Sequence, residues 1–157
     1  MKIIIRLFIV FIFLVNSVWA ENTVLKGSIS LVPKSFYGSW RVSSLLEDTD
    51  SVQIFKKSGT DLWNLSRMND VIILTNPFNG ARAEIQIDRV EDNNVVFVKT
   101  GKYGSKVLTD IVEINITQDS FKGTDKFRLD TYVNGKIMKT ETATYSLKGE
   151  RIAGDVY

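Results

Sequence analysis

The amino-acid sequence predicts an all-β domain in which about eight to ten antiparallel strands run up and down and close into a barrel. Apolar and polar side chains alternate with a period of two from residue 38 onward, which is the periodicity of a half-buried strand. Turn-forming residues separate the alternating runs, and no run beyond residue 38 keeps a period of 3.6. Short connections make consecutive strands neighbours, and closure removes the exposed edges of the sheet.

The first element, residues 1–20, is predicted to be a secretory signal peptide. Lys2 and Arg6 supply its positive start, residues 7–15 form an apolar run, and cleavage is expected after Ala20. An uncleaved N-terminal anchor is the alternative. Among exported proteins, the absence of cysteine favours a bacterial envelope, so the mature chain is expected in the periplasm or the extracellular space of a bacterium. After cleavage, no stable insertion into a membrane is expected.

Composition excludes several classes of function. The 157 residues contain no cysteine and no histidine, which rules out disulfides, thiolate metal sites and catalytic triads that need these side chains. We therefore expect no enzyme activity, no metal and no cofactor. Without Lys2 and Arg6, the 20 basic residues fall to 18 and equal the 18 acidic ones. This balance provides no basic surface for nucleic acid.

The mature chain divides into an extension and one domain. Residues 21–37 are expected to cover the barrel, with at most a helical turn because Pro33 interrupts the segment. Residues 38–157 are expected to form a single β-barrel domain. The expected strands are Trp40–Leu46, Val52–Lys57, Asp61–Arg67, Val71–Thr75, Ala81–Val90, Asn94–Thr100, Lys106–Thr117, Ser120–Val133 and Lys136–Leu147. Asn134-Gly135 predicts a type I′ hairpin turn between the last two.

Two runs interrupt the alternation, Val71-Ile-Ile-Leu74 and Val95-Val-Phe-Val98. Apolar side chains on both faces of a strand indicate either an outer cover or a surface patch that binds a partner. The segment from Glu21 to Phe36 is the expected cover.

Gly38-Ser39-Trp40, at the start of the first strand, resembles the G-x-W element of the lipocalin and calycin barrels, and Thr109-Asp110 is similar to their T-D pair. The resemblance implies a lipocalin-like barrel closed at one end by Gly38, Trp40 and a basic side chain, here Arg151, packed on the tryptophan. The sequence departs from the family in three respects: it has no C-terminal helix, no disulfide, and three long strands after Gly104.

Asp110 shares the parity of Leu108 and Val112, so its carboxylate is expected to point into the barrel and to need a partner. Lys139 and Glu141 are expected to form a solvated ion pair at the barrel mouth. The candidate ligand contacts are Trp40, Asp110, Phe127 and Tyr145.

Three functions remain open. The leading hypothesis is an exported binding protein that carries a small apolar ligand inside the barrel. The second is a packed barrel that binds another envelope protein through residues 71–74, 95–98 and the tip Pro77-Phe78. The third is a small outer-membrane barrel.

Overall fold

The barrel is visible in a computed structural model that describes residues 28–153. The predicted signal peptide and residues 21–27 lie outside this range. Within it, eight antiparallel strands follow one another in chain order, and the last pairs with the first, so the sheet is closed. The strands are β1 (Gly38–Thr49), β2 (Ser58–Met68), β3 (Val71–Thr75), β4 (Arg82–Glu91), β5 (Asn94–Tyr103), β6 (Lys106–Ile116), β7 (Ser120–Val133) and β8 (Lys136–Ala153). The all-β, up-and-down prediction is confirmed.

One predicted strand is wrong, because Val52–Lys57 forms the loop between β1 and β2. The backbone N–H groups of Ile54 and Phe55 both donate to the carbonyl of Ser51, at 2.9 and 3.2 Å, which makes a tight turn. The Phe55 ring packs against Phe127, with 6.2 Å between the ring centroids. The alternating pattern of Val52–Lys57 therefore reflects side chains that pack over the barrel interior, not strand pairing.

The predicted hairpin between β7 and β8 is confirmed. Asn134 and Gly135 have φ angles of 51° and 75°, and Val133 pairs directly with Lys136. Positive φ at both central residues is what a type I′ turn requires.

Because side chains point alternately to the two sides of each strand, one face of every strand lies against the core. The turns between β2 and β3, β4 and β5, and β6 and β7 lie at one end, which we call the closed end. The loop 50–57 and the other three connections lie at the opposite end, which we call the mouth. Two short 3₁₀ helices, Ile29–Leu31 and Lys34–Phe36, precede β1 at the closed end.

Both doubly apolar runs are largely buried. Ile72, Leu74, Val95 and Phe97 belong to the core, with exposed fractions of 7% or less. The outward Val96 is only 6% exposed. It lies in register between Arg89 and Glu113, whose side chains pair at 3.5 Å. An ion pair on the barrel surface therefore flanks this apolar side chain. The outward Ile73 is 4% exposed, between Ser66 and Glu84 in register.

Candidate ligand-binding site

The closed end is built around Trp40 and Arg151. The Arg151 guanidinium lies 4.2 Å from the centre of the Trp40 ring, and the two residues are paired in the β1–β8 ladder. The guanidinium therefore packs on the face of the indole ring. Gly38, which begins β1, has a φ angle of 122°, a backbone conformation that residues other than glycine rarely adopt.

Hydrogen bonds from these two side chains hold the segment before β1 in place. Arg151 donates to the carbonyls of Tyr37 and Ser35, at 2.8 and 2.5 Å. Trp40 donates from Nε1 to the carbonyl of Phe36 at 3.2 Å. Phe36 is fully buried and packs edge-on against Phe97. The described part of the predicted extension thus closes this end of the barrel.

A cavity of about 450 Å³ fills the part of the barrel nearer the mouth. Its size falls within the range of about 300–1,000 Å³ that is typical of small-molecule sites. Most of its wall is apolar or aromatic and includes the side chains of Trp63, Leu108, Phe127, Leu129, Tyr145 and Leu147.

Phe127 and Tyr145, both proposed from the sequence as ligand contacts, line this cavity and pack against each other at 5.2 Å. Trp40 does not line it. The ring of Phe121 contacts both Trp40 and Trp63, at 5.2 and 5.9 Å, and Trp63 faces the cavity. Trp40 therefore supports the floor of the cavity without lining it, because it packs on Phe121, which in turn packs on Trp63.

The loop 50–57 crosses the mouth and is fixed to β8. Tyr145 donates its hydroxyl hydrogen to the carbonyl of Lys56 at 2.9 Å. The Asp50 carboxylate accepts from the backbone N–H and the hydroxyl of Thr142, both at 2.9 Å, and these bonds lower the pKa of Asp50.

A third connection joins the Ser51 hydroxyl to the Glu141 carboxylate at 2.9 Å. Glu141 also accepts from Lys139 at 2.6 Å, and this bond is the main cause of its lowered pKa. The predicted Lys139–Glu141 pair thus lies where the loop 50–57 meets the barrel wall.

Asp110 points inward, as the parity of β6 predicts, and its partner is Lys99 on β5. The two residues are paired in register, and their side chains form an ion pair and are 5% and 19% exposed, respectively. The Lys99 ammonium also lies 5.6 Å from the centre of the Phe127 ring. Burial raises the pKa of Asp110, and the Lys99 charge opposes this rise.

Asp125 is a second inward carboxylate, and the sequence reasoning missed it. It lies on β7 opposite Val112 and Tyr145, lines the cavity and is 2% exposed. Burial raises its pKa to about 7; the Lys99 charge lowers the value and the Asp110 charge raises it further. Its odd-numbered position, shared with Phe121 and Phe127, is the signal that would have revealed it.

The other carboxylate in the cavity wall, Asp61, is fully engaged. It accepts from the backbone N–H of Leu62 at 2.9 Å, from Trp63 Nε1 at 3.2 Å and from the side-chain amide of Asn76. Asp61 thereby links β2 to the loop after β3.

Comparisons with protein-family models, with curated proteins and with solved structures find no match for this chain. Within residues 28–153, no group of three or more acidic side chains is arranged to hold a metal ion. Over the same residues, no helix has the length and apolar character to cross a membrane.

Proposed function

We propose that this protein is an exported, lipocalin-like binding protein that holds one small, mainly apolar molecule inside its barrel. The observation that carries the proposal is the cavity of about 450 Å³, lined mainly by aromatic and aliphatic side chains. The aromatic layers around Trp40 and Phe121 support its floor. Export is proposed from the signal-peptide pattern of residues 1–20.

Binding of a neutral fluorescent probe tests this function. N-Phenyl-1-naphthylamine added to the protein lacking residues 1–20 is expected to bind at one saturable site, with increased fluorescence. Leu129→Trp places a large ring in the cavity and is expected to weaken probe binding at least tenfold. Lys126→Trp, on the same strand but exposed on the outer face, is the matched control and is expected to bind like the wild type.

The proposal fails if the wild-type protein binds no probe, or if Leu129→Trp binds the probe as tightly as Lys126→Trp does. Native mass spectrometry of protein purified from its own envelope then identifies the natural ligand class. An excess mass that disappears on denaturation is the expected result. A stable complex with a second protein would instead favour the interaction hypothesis.

The positions of the apolar side chains weigh against both alternatives. Burial of residues 71–74 and 95–98 leaves Phe78, at 85% exposure, as the main apolar group of the suggested protein-binding surface. The outward face of β7 carries exposed Lys122, Lys126 and Arg128, where a lipid-facing strand would carry apolar side chains.

A further inference from the structure

Two buried carboxylates, Asp110 and Asp125, and one lysine, Lys99, lie together on the inward face of the barrel, and of these Lys99 and Asp125 line the cavity. Lys99 is engaged in its ion pair with Asp110. Asp125 lines the cavity beside this pair. It lies on β7 two residues before Phe127, which pairs in register with Asp110. With both carboxylates ionised, the cluster of Lys99, Asp110 and Asp125 carries one negative charge that no side chain of the cluster balances.

The cluster also contains vacant hydrogen-bond acceptors. Oδ1 of Asp110 and Oδ1 of Asp125 are buried, and within residues 28–153 neither accepts a hydrogen bond. A buried carboxylate oxygen without a donor is unfavourable relative to its hydrated state. Asp61 differs because each of its oxygens already accepts hydrogen bonds. Both of these acceptors therefore belong to one cluster, and Asp125 is the carboxylate of this cluster that lines the cavity.

We propose that the ligand carries a protonated amine, which Asp125 binds while the apolar body of the ligand lies against Phe127 and Leu129. This inference rests on the proposed binding function. An ammonium group brings one positive charge and several N–H donors, which match the missing charge and the vacant oxygens. A carboxylate would be repelled by Asp125 and Asp110, and an alcohol supplies one donor without charge.

Three ligands of equal chain length separate the alternatives: decylamine, decanol and decanoate, each used to displace N-phenyl-1-naphthylamine at pH 7.5. For the wild type, decylamine is expected to displace the probe at a concentration at least tenfold below that of decanol, and decanoate is expected to be weakest. In Asp125→Asn, the preference for the amine is expected to fall below threefold, because the neutral amide no longer attracts the ammonium group.

Two further variants locate the effect. Asp61→Asn removes a carboxylate of the same wall whose hydrogen bonds are satisfied, so the preference for the amine is expected to persist. Asp110→Asn releases Lys99 to pair with Asp125, so the preference is expected to fall as it does in Asp125→Asn. Asp110→Asn therefore provides the test if Asp125→Asn does not fold.

The outcomes distinguish the two proposals. A wild-type protein that binds the probe but shows no preference for decylamine overturns the amine proposal and leaves the binding function standing. A wild-type protein that binds neither the probe nor any of the three ligands overturns the binding function itself. Loss of the preference in Asp61→Asn but not in Asp125→Asn overturns the assignment to Asp125.

Discussion

Asp125 makes the stability of the barrel depend on pH. Its pKa is about 7 in the folded protein and about 4 in an unfolded chain, so the unfolded state loses the proton first as the pH rises. The contribution of Asp125 to the free energy of unfolding is therefore expected to be fully present below about pH 4 and to decline as the pH rises to about 7. The titratable groups that face Asp125 are Lys99 on β5, Asp110 on β6 and Tyr145 on β8.

Asp125→Asn is expected to remove this dependence, because the amide does not ionise. Between pH 5 and pH 8, the free energy of unfolding of the wild type is expected to fall by about 2–3 kcal/mol relative to the variant. Urea denaturation at the two pH values measures this difference. An equal change in both proteins would show that Asp125 does not titrate in this range.

Arg151 is expected to be the most sensitive charged side chain of the closed end. It stacks on Trp40 and donates to three backbone carbonyls, those of Ser35, Tyr37 and Gln118. Arg151→Lys keeps the charge but loses the planar, multidentate geometry, and we expect it to lower the free energy of unfolding by about 2 kcal/mol.

The matched control is Arg41→Lys, at a solvent-exposed residue of β1 that pairs with Glu150 at 3.8 Å. Its effect is expected to stay within about 0.5 kcal/mol, because exposed ion pairs contribute little. Urea denaturation compares the two variants. Equal effects would contradict the role assigned to Arg151 at the closed end.

At the scale of the structural element, the loop 50–57 is expected to control how fast a ligand enters and leaves the cavity. Tyr145→Phe removes the hydrogen bond to the Lys56 carbonyl but keeps the ring in the cavity wall. We expect dissociation of N-phenyl-1-naphthylamine to become several times faster, with the free energy of unfolding lowered by only about 1 kcal/mol. Stopped-flow fluorescence measures the dissociation rate.

Tyr103→Phe is the control for this prediction, since Tyr103 also lines the cavity near the mouth and is 68% exposed. Within the described residues, no hydrogen bond links Tyr103 to the loop. Its dissociation rate is expected to match that of the wild type. A rate unchanged in Tyr145→Phe would mean that the loop does not limit exchange.

At the scale of the whole molecule, alternation and short connections predicted all eight observed strands and their order, together with a ninth that does not form. Alternation failed at Val52–Lys57, because a short alternating run that packs Phe55 over the barrel interior looks the same as a strand. Lengths were also underestimated: β8 continues to Ala153, because the outermost residues pair with β1. Strand ends depend on neighbours that are distant in the sequence.

The site was only partly predictable for a related reason. The inward direction of Asp110 followed from the parity of β6. Its partner Lys99 could not be predicted in the same way, because the preceding residues of β5 are apolar on both faces and hide the alternation of that strand. Identifying that pair requires the register between β5 and β6. The cluster with Asp125 further requires the register of β7, which the closure of the barrel fixes.

The pairing of β1 with β8 has a consequence for folding kinetics. Arg151 and Tyr37, joined by a hydrogen bond at this seam, are 114 positions apart, so closing it requires nearly the whole domain. Contacts of such long sequence separation slow folding, and all-β topologies fold in about milliseconds to seconds. During this interval β1 and β8 remain open sheet edges. We therefore expect this seam to form late, and an incompletely folded chain to be able to pair with another copy there.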